Sequence, residues 1–513
     1  MKWKTMVTAT VLCMSCLIPS QSQEVPVLLW EFDAGGQIRS SPAIGEDGTI
    51  YFGCQATERR LGQAKLHALR PDGTVRWAYE TTGGEISAPP AIDSDGTIYF
   101  GTHEFYGFGD YKLYALRPDG TPKWEPFMPD PGMGVASSIA IGADHTIYFG
   151  TINYGTGGKL YALRPDRTEV WNLQLPYPYG FSRVIVGSDG TVYAYSQHRG
   201  PPYDGQLHAV APTGQEKWHY YLGCYPGGLS IGLDESVYCT SDMAKLHAVS
   251  PDGAANWLFA NVGYVITEAV VGPDAMIHLS SANGNLYTFS PEGALVRPPT
   301  VLGGLVHATP AIAADGTIYA PSYTDLCAVN PDGTLRWRFP TPAPIQASPA
   351  IGADGTVYLG GQSRKLYALQ GNSPPATGPW PTFQHDMRRT GRAGGDAEPP
   401  VIGDVSVSPS VLWPANHKLV LVTVNYTATD NSGPPVCSLS ATSNEPDNGQ
   451  GDGDTANDIG IIAGDPHHLW LRAERAGNGA GRTYTVTITA TDAAGNSSQA
   501  TVAVSVPKSQ GKR

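Results

Sequence analysis

Two short phrases recur eight times along this chain, and they constrain its fold more than anything else in it. The first is SPAIGEDGTIYFG at residues 41–53, and the second is KLHALRPDGTVRWAY at residues 65–79. The turn aspartate of the first phrase falls at Asp47, Asp95, Asp144, Asp189, Asp234, Asp274, Asp315 and Asp354, 39 to 49 residues apart. The second phrase begins at Lys65, Lys112, Lys159, Gln206, Lys245, Asn285, Asp325 and Lys365. A tryptophan marks each unit at Trp30, Trp77, Trp124, Trp171, Trp218, Trp257 and Trp337, with Val296 as the degenerate eighth member.

A unit of this length cannot bury an apolar face alone, so the copies must stack or pack around an axis. Runs such as TIYFG and KLYAL alternate apolar and polar residues and are cut by Asp-Gly pairs, the signal of antiparallel hairpins. Each unit therefore reads as four strands, A (SPAI), B (TIYFG), C (KLHAL) and D (TVRWAY). The expected class is all-β, an eight-bladed β-propeller over residues 28–371. Trp30 precedes the first A strand, whereas the last C strand, ending near Leu369, has no D strand after it. Residues 28–33 are thus expected to supply the outer strand of the last blade, which closes the ring without an unpaired edge.

Lys2 and Lys4, the apolar run from Met6 to Ile18 and small residues at Ser20 and Ser22 read as a secretory leader over residues 1–22. No later run is long enough to be a membrane span. The formal charge is −13, and −15 once Lys2 and Lys4 leave with the leader. That sign argues against nucleic acid or an anionic membrane surface as the partner. The cysteines beyond the leader, Cys54, Cys224, Cys239, Cys327 and Cys437, form no disulfide framework. Cys224 and Cys239 are placed near one blade edge and either pair or simply pack.

The string AIGADGTVYLGGQSRKLYAL, with a tryptophan after each A-L-x-P-D-G-T, resembles the PQQ-like β-propeller repeat of bacterial quinoproteins and of the outer-membrane assembly lipoprotein BamB. The resemblance spans residues 28 to about 371, and PWPTFQHDMRRTGR at 379–392 is similar to a tail found beside such propellers. It implies that Trp77, Trp124, Trp171, Trp218, Trp257 and Trp337 dock between neighbouring blades. Quinone-dependent alcohol dehydrogenases of this kind carry adjacent cysteines beside the cofactor, and this chain has no Cys-Cys pair and no C-x-x-C-H. The resemblance therefore speaks against pyrroloquinoline quinone as cofactor, while leaving a dehydrogenase as the alternative reading. Gly228-Leu229-Ser230-Ile231-Gly232 matches a hydrolase nucleophile elbow, but it aligns with a strand A rather than with a strand-to-helix turn. His67, His208 and His247 stand where other units carry tyrosine, which marks a structural slot rather than metal ligation.

The A–B and C–D connections are uniform tight turns, so the variable B–C and D–A connections share the opposite face. The B–C loops are long in the first four units, as binding loops on a rigid scaffold are. Phe105, Tyr106, Phe108, Phe127, Tyr154, Tyr177, Tyr179 and Tyr203 lie in these connections as candidate contacts for a sugar or a peptide. The competing reading is that they pack the loops onto the ring. Glu104 and Asp110 are the carboxylates a carbohydrate-active enzyme would use there.

Residues 372–399 are Pro- and Gly-rich and read as a linker, and 400–507 as an immunoglobulin-like β-sandwich with alternating strands such as KLVLVTVNYTATD and RTYTVTITATD. The acidic stretch SNEPDNGQGDGDTANDIG at 443–460 places Glu445, Asp452, Asp454 and Asp458 around a site for a hard cation, or else leaves a solvated loop. LRAER (471–475) and ATDAAGN (490–496) are similar to calcium-binding segments of cadherin repeats, which would add Glu474 and Asp492. The expectation is an exported, monomeric, non-catalytic bacterial binding protein, secreted, periplasmic or surface-held. It would recognise a polymer or protein through the loop-rich propeller face, with calcium in the last domain.

Overall fold

A computed structural model of the chain describes residues 25–55, 64–103, 111–130, 132–152, 157–174, 180–197, 205–223, 226–264, 267–392, 400–429, 435–447, 456–462, 465–477, 480–491 and 497–508. These residues form strands and turns, with no α-helix among them. The repeats fold as the Asp-Gly turns require, into antiparallel four-stranded units. In the first blade Ala43–Ile44, Ile50–Cys54, Lys65–Leu69 and Val75–Glu80 pair in chain order. Six further units follow in sequence, the second completing its outer edge with a bridge between Leu113 and Phe127. The eighth pairs Ala350–Ile351, Val357–Gly360 and Lys365–Leu369 with Leu28–Asp33. Leu28 lies opposite Leu369 and Asp33 opposite Lys365. The first strand of the ring thereby becomes the last strand of its final blade.

Strand burial explains the sequence pattern. Strands B and C of the first blade are buried almost throughout, while strand D alternates between exposed and half-buried positions. Inner strands are covered by the adjacent blades on both faces, so they tolerate continuous apolar runs; the outer strand keeps one face in water. The tryptophans of strand D join blade to blade. Trp77 lies 5.7 Å from Tyr51 of its own blade and donates its indole N–H to Pro118 O of the next at 2.9 Å. Trp30, Trp124, Trp171, Trp218 and Trp257 make the same bond to the following blade at 2.8–3.2 Å. The turn glycine beneath five of these rings has a reason beyond its backbone: a Cβ at Gly120 (φ +86°) would sit 2.7 Å from Trp77. In the sixth blade the tryptophan's work falls to Arg297, beside the degenerate Val296. Its guanidinium donates to Pro331 O at 2.5 Å and packs over Gly333.

Residues 400–508 form a separate β-sandwich. One sheet orders Val401–Ser408, Leu419–Thr429, His468–Arg472 and Ile459–Ile461; the other orders Val436–Ser443, Gly481–Thr491 and Ser497–Pro507. Val422, Val424, Leu469 and Leu471 from the first sheet meet Tyr484, Val486, Ile488, Val504 and Val506 from the second, all fully buried. Alternate residues of each long strand thus face a shared core.

Candidate functional site

The two ends of the ring differ, and the difference comes from the stretch that sequence reading assigns to a linker. Residues 374–392 are not a tether; they run along the inner strands and close the channel at the end carrying the tight turns. Ile44, Ile92 and Ile141 donate their backbone N–H groups to Met387 O, Arg388 O and Thr390 O at 2.8–2.9 Å, joining blades one to three to this tail. Val186, Val271 and Ile312 do the same for blades four, six and seven through Gly391 O, Trp380 O and Pro381 O. The innermost strand of a blade has a free hydrogen-bonding edge that must find partners, and the tail supplies them. The expected linker boundary at 372 therefore moves: only residues 393–399, outside the described residues, remain between plug and sandwich.

Arg389 pins this plug. Its side chain is fully buried and donates from Nε to Pro42 O at 2.9 Å and from Nη2 to Pro349 O at 3.0 Å, so it bridges blades one and eight. Nη1 reaches Thr382 Oγ1 at 2.8 Å and also Phe383 O within the tail. Trp380, likewise buried, and Gln384 carry the plug to Glu268 of blade six.

Above the plug, toward the face that carries the B–C and D–A connections, the channel keeps a cavity of about 90 Å³ floored by Phe383. Arg39 and Ser41 reach it from blade one, Ser87 and Pro89 from blade two, and Arg183 from blade four. Thr267, His307, Thr309, Gln346 and Ser348 complete it from blades six to eight. Strand pairing puts one residue of every blade at the same level, two before the strand A residue opposite the strand B aromatic position. Around the ring those residues are Ser41, Pro89, Ser138, Arg183, Gly228, Glu268, Thr309 and Ser348. Three of the hydroxyls accept an N–H from the preceding blade: Thr309 from Glu268 at 3.0 Å, Ser348 from Thr309 at 3.0 Å, and Ser41 from Ser348 at 2.9 Å. The last of these closes the ring between blades eight and one.

The sequence matches the family described as outer membrane protein assembly factor BamB over residues 27–258 and 203–373, roughly two thirds of the chain. The chain belongs to this family. No curated protein matches it. Among solved structures, BamB from Moraxella catarrhalis aligns at 16% identity and a TM-score of 0.48, covering 68% of this chain and 98% of its own. Virginiamycin B lyase from Staphylococcus aureus aligns at 14% and 0.41, covering 66% and 98%. The WD40 propeller domain of Doa1 aligns at 13% and 0.43, covering 67% and 96%.

In this BamB-family propeller the expected aromatic contacts fall mostly outside the described residues. Phe105, Tyr106, Phe108, Tyr154, Tyr177, Tyr179 and Tyr203 are there, as are Glu104 and Asp110. Phe127 is described, and it packs edge-on against Phe149 at 6.2 Å and Tyr161 at 6.1 Å, joining blade two to blade three. Its place is an inter-blade contact. Ser230 of the apparent nucleophile elbow is buried in a strand opposite Tyr238, without an elbow turn. Cys239 is a free, buried thiol, and Cys224 lies outside the described residues. The histidine slot is a packing position: His67 stacks on Phe52 at 5.2 Å, and burial lowers its pKa to about 4.

The carboxylates expected to hold calcium in the sandwich do not gather into an ion site among the described residues. Asp458 receives Arg472 Nε at 3.1 Å and also meets Arg482, while Glu445 accepts from Arg482 Nε at 3.3 Å and from Ala476 N at 2.7 Å. The positive charge these two face is guanidinium. Glu474 is buried and lies 3.0 Å from His417 Nδ1, while Asp452, Asp454 and Asp492 are outside the described residues.

The reading of the sequence missed Arg183 and Glu268, although a signal was present. Aligned on the strand A register, both depart from the Ser-Pro-Ala-Ile phrase at its serine position, two before the strand A residue opposite the strand B aromatic position. Glu268 is fully buried, and burial raises its pKa. Arg183 Nε stands 4.0 Å from its carboxylate and stacks over Phe383 at 5.2 Å.

Proposed function

We propose that this chain is an exported, non-catalytic scaffold that docks a protein partner on the propeller face carrying the B–C and D–A connections. The observation that carries the reading is the asymmetry of the ring. One end is made of uniform turns and sealed by the tail, while the other keeps an open polar cavity on the side from which the longest connections leave the strands. Membership of a family described as an assembly factor supports a protein partner. A cavity of about 90 Å³ is also small beside the ~300–1,000 Å³ of pockets that enclose drug-sized ligands, which favours a docking role over turnover of a tricyclic quinone.

The base of the longest loop is well placed for a test. Thr102 N donates to Lys112 O at 2.9 Å and Lys112 N to Thr102 Oγ1 at 3.1 Å, so the hairpin holds below the loop. A photo-crosslinking amino acid placed at Tyr106, between strands B and C of blade two, is expected to trap a discrete partner in the native cells. The same group at Asp119, in the C–D turn of that blade, is expected to trap none. Adducts from position 119 alone would overturn the assignment of the face.

A further inference from the structure

The axial cavity has a chemistry of its own. Two guanidinium groups, Arg39 and Arg183, line it, and no carboxylate does among the described residues. The carboxylates nearest those arginines stand behind the wall and are engaged there. Glu85 lies 3.7 Å from Arg39 and accepts from Gln55 Nε2 at 2.5 Å. Glu268 accepts from Gln384 N at 3.1 Å, Gln384 Nε2 at 3.2 Å and Trp380 Nε1 at 3.4 Å, all from the plug.

The hydroxyls point to the same chemistry. Ser41, Thr309 and Ser348 each use an oxygen lone pair to accept a backbone N–H. Their own protons have no protein acceptor among the described residues. Arg39 Nε is also buried without a partner. Buried polar groups are ordinarily paired; Gln346 Oε1 is an unpartnered acceptor here, but the donors of Arg39, Ser41, Thr309 and Ser348 outnumber it and call for a further acceptor.

We propose that the axial cavity binds one carboxylate group, held between Arg39 and Arg183 with the inter-blade hydroxyls completing its hydrogen bonds. Guanidinium groups suit this task because their planar fork matches both carboxylate oxygens. Size limits the ligand: a cavity of about 90 Å³ has room for a carboxylate with a short carbon stem and not for a drug-sized molecule. Charge favours a monoanion over a phosphate dianion. Glu85 stands 3.7 Å from Arg39 and Glu268 4.0 Å from Arg183, so both cations are partly offset from behind the wall and a single negative charge suits the site better than two. The group has two sources, a free small acid or an acidic side chain of the docked partner; the second rests on the docking face proposed above.

The test is a titration of the full chain with 13C-labelled acetate, followed by NMR. A second arm uses a capped pentapeptide with one central glutamate, and a third uses inorganic phosphate. Saturable binding of acetate or peptide at one site is expected, weakened at least tenfold in Arg183→Gln and in Arg39→Gln and unchanged in Arg76→Gln on the tight-turn face. Peptide binding at least as tight as acetate assigns the cavity to a partner side chain; acetate binding alone assigns it to a free acid. Arg183 packs on the plug, so Arg39→Gln, whose side chain is 37% exposed, serves as the variant that leaves the floor untouched. Absence of both acids up to tens of millimolar, tighter binding of phosphate, or equal weakening in Arg76→Gln would overturn the proposal. A negative crosslink at position 106 would remove the docking face and leave the acetate result standing.

Discussion

Two buried arginines, one in the propeller and one in the sandwich, solve the same problem in opposite ways. Arg389, at the propeller axis, is surrounded by neutral acceptors: carbonyl oxygens of Pro42, Pro349 and Phe383 and the hydroxyl of Thr382. Burial without a contacting carboxylate lowers its pKa to about 10. Arg482, in the sandwich, meets Asp458 and Glu445 as well as the Tyr484 hydroxyl at 3.2 Å. Burial alone would lower its pKa, but Tyr484 and Asp458 together raise it. Taking a charge out of water is costly unless it is hydrogen-bonded or paired. A radial fold brings carbonyl ends from several blades to one point, so dipoles suffice there. A two-sheet sandwich has no such convergence, and its acidic connection supplies counter-charges instead.

The widest break in this comparison should come from removing each arginine. Arg389→Leu leaves four acceptors unpartnered and is expected to cost about 5 kcal/mol, at roughly 1–3 kcal/mol for each group. Hydrogen exchange should then speed up at the amides of Ile44, Ile92 and Ile141, which donate to the tail, and leave the sandwich alone. Arg482→Leu leaves Asp458 with Arg472 as its remaining cation and takes a donor from Glu445, and is expected to cost about 3 kcal/mol in the sandwich only, with part of the loss recovered by adding Asp458→Asn. Equal effects in both regions would dissolve the distinction.

Acid sharpens the comparison next. His67, His247 and His278 belong to the propeller, and burial lowers each pKa from 6.5 to about 4. The unfolded chain therefore takes up protons first as pH falls. Their contribution is complete above pH 6.5 and is lost as pH drops through about 4, on the order of 3 kcal/mol per histidine. Denaturant midpoints of the propeller measured at pH 7 and pH 4.5 should differ accordingly, and replacing His278 with Gln should flatten the dependence. A pH-independent midpoint would contradict the buried neutral slot.

The smallest effect concerns the blade seams. Trp77→Ala removes an indole that packs on Tyr51 and bonds the next blade, at an expected cost of about 3 kcal/mol. Arg297→Ala, at the degenerate seam, removes hydrogen bonds to Pro331 O and Thr288 Oγ1 and is expected to cost about 1 kcal/mol. Thermal melts of the two variants should rank in that order; a larger loss at Arg297 would mean that the polar seam is the stronger one.

The repeats were legible because each states its own strands. Asp-Gly turns set the hairpins, alternation set the buried faces, and the early tryptophan betrayed the strand that closes the ring. The tail was harder to read. Pro and Gly in residues 372–392 look like a tether when only local propensity is weighed, and nothing local says that six inner strands wait for hydrogen-bond partners. Arg183 and Glu268 were visible only as departures from an alignment register, not as a motif. Glu445 and Asp458 show the reverse case: a cluster of carboxylates suggests a metal in the sequence, and only the folded chain brings Arg472 and Arg482 against them.

What the sequence by itself determined is the unit and its number, since strand period and turn chemistry are properties of a few consecutive residues. The tertiary structure alone decided which end of the ring is sealed, which residues face the axis and which charges meet. Those depend on pairings across hundreds of residues, such as Ser348 with Ser41 and Arg389 with Pro42, whose geometry exists only after the ring has closed.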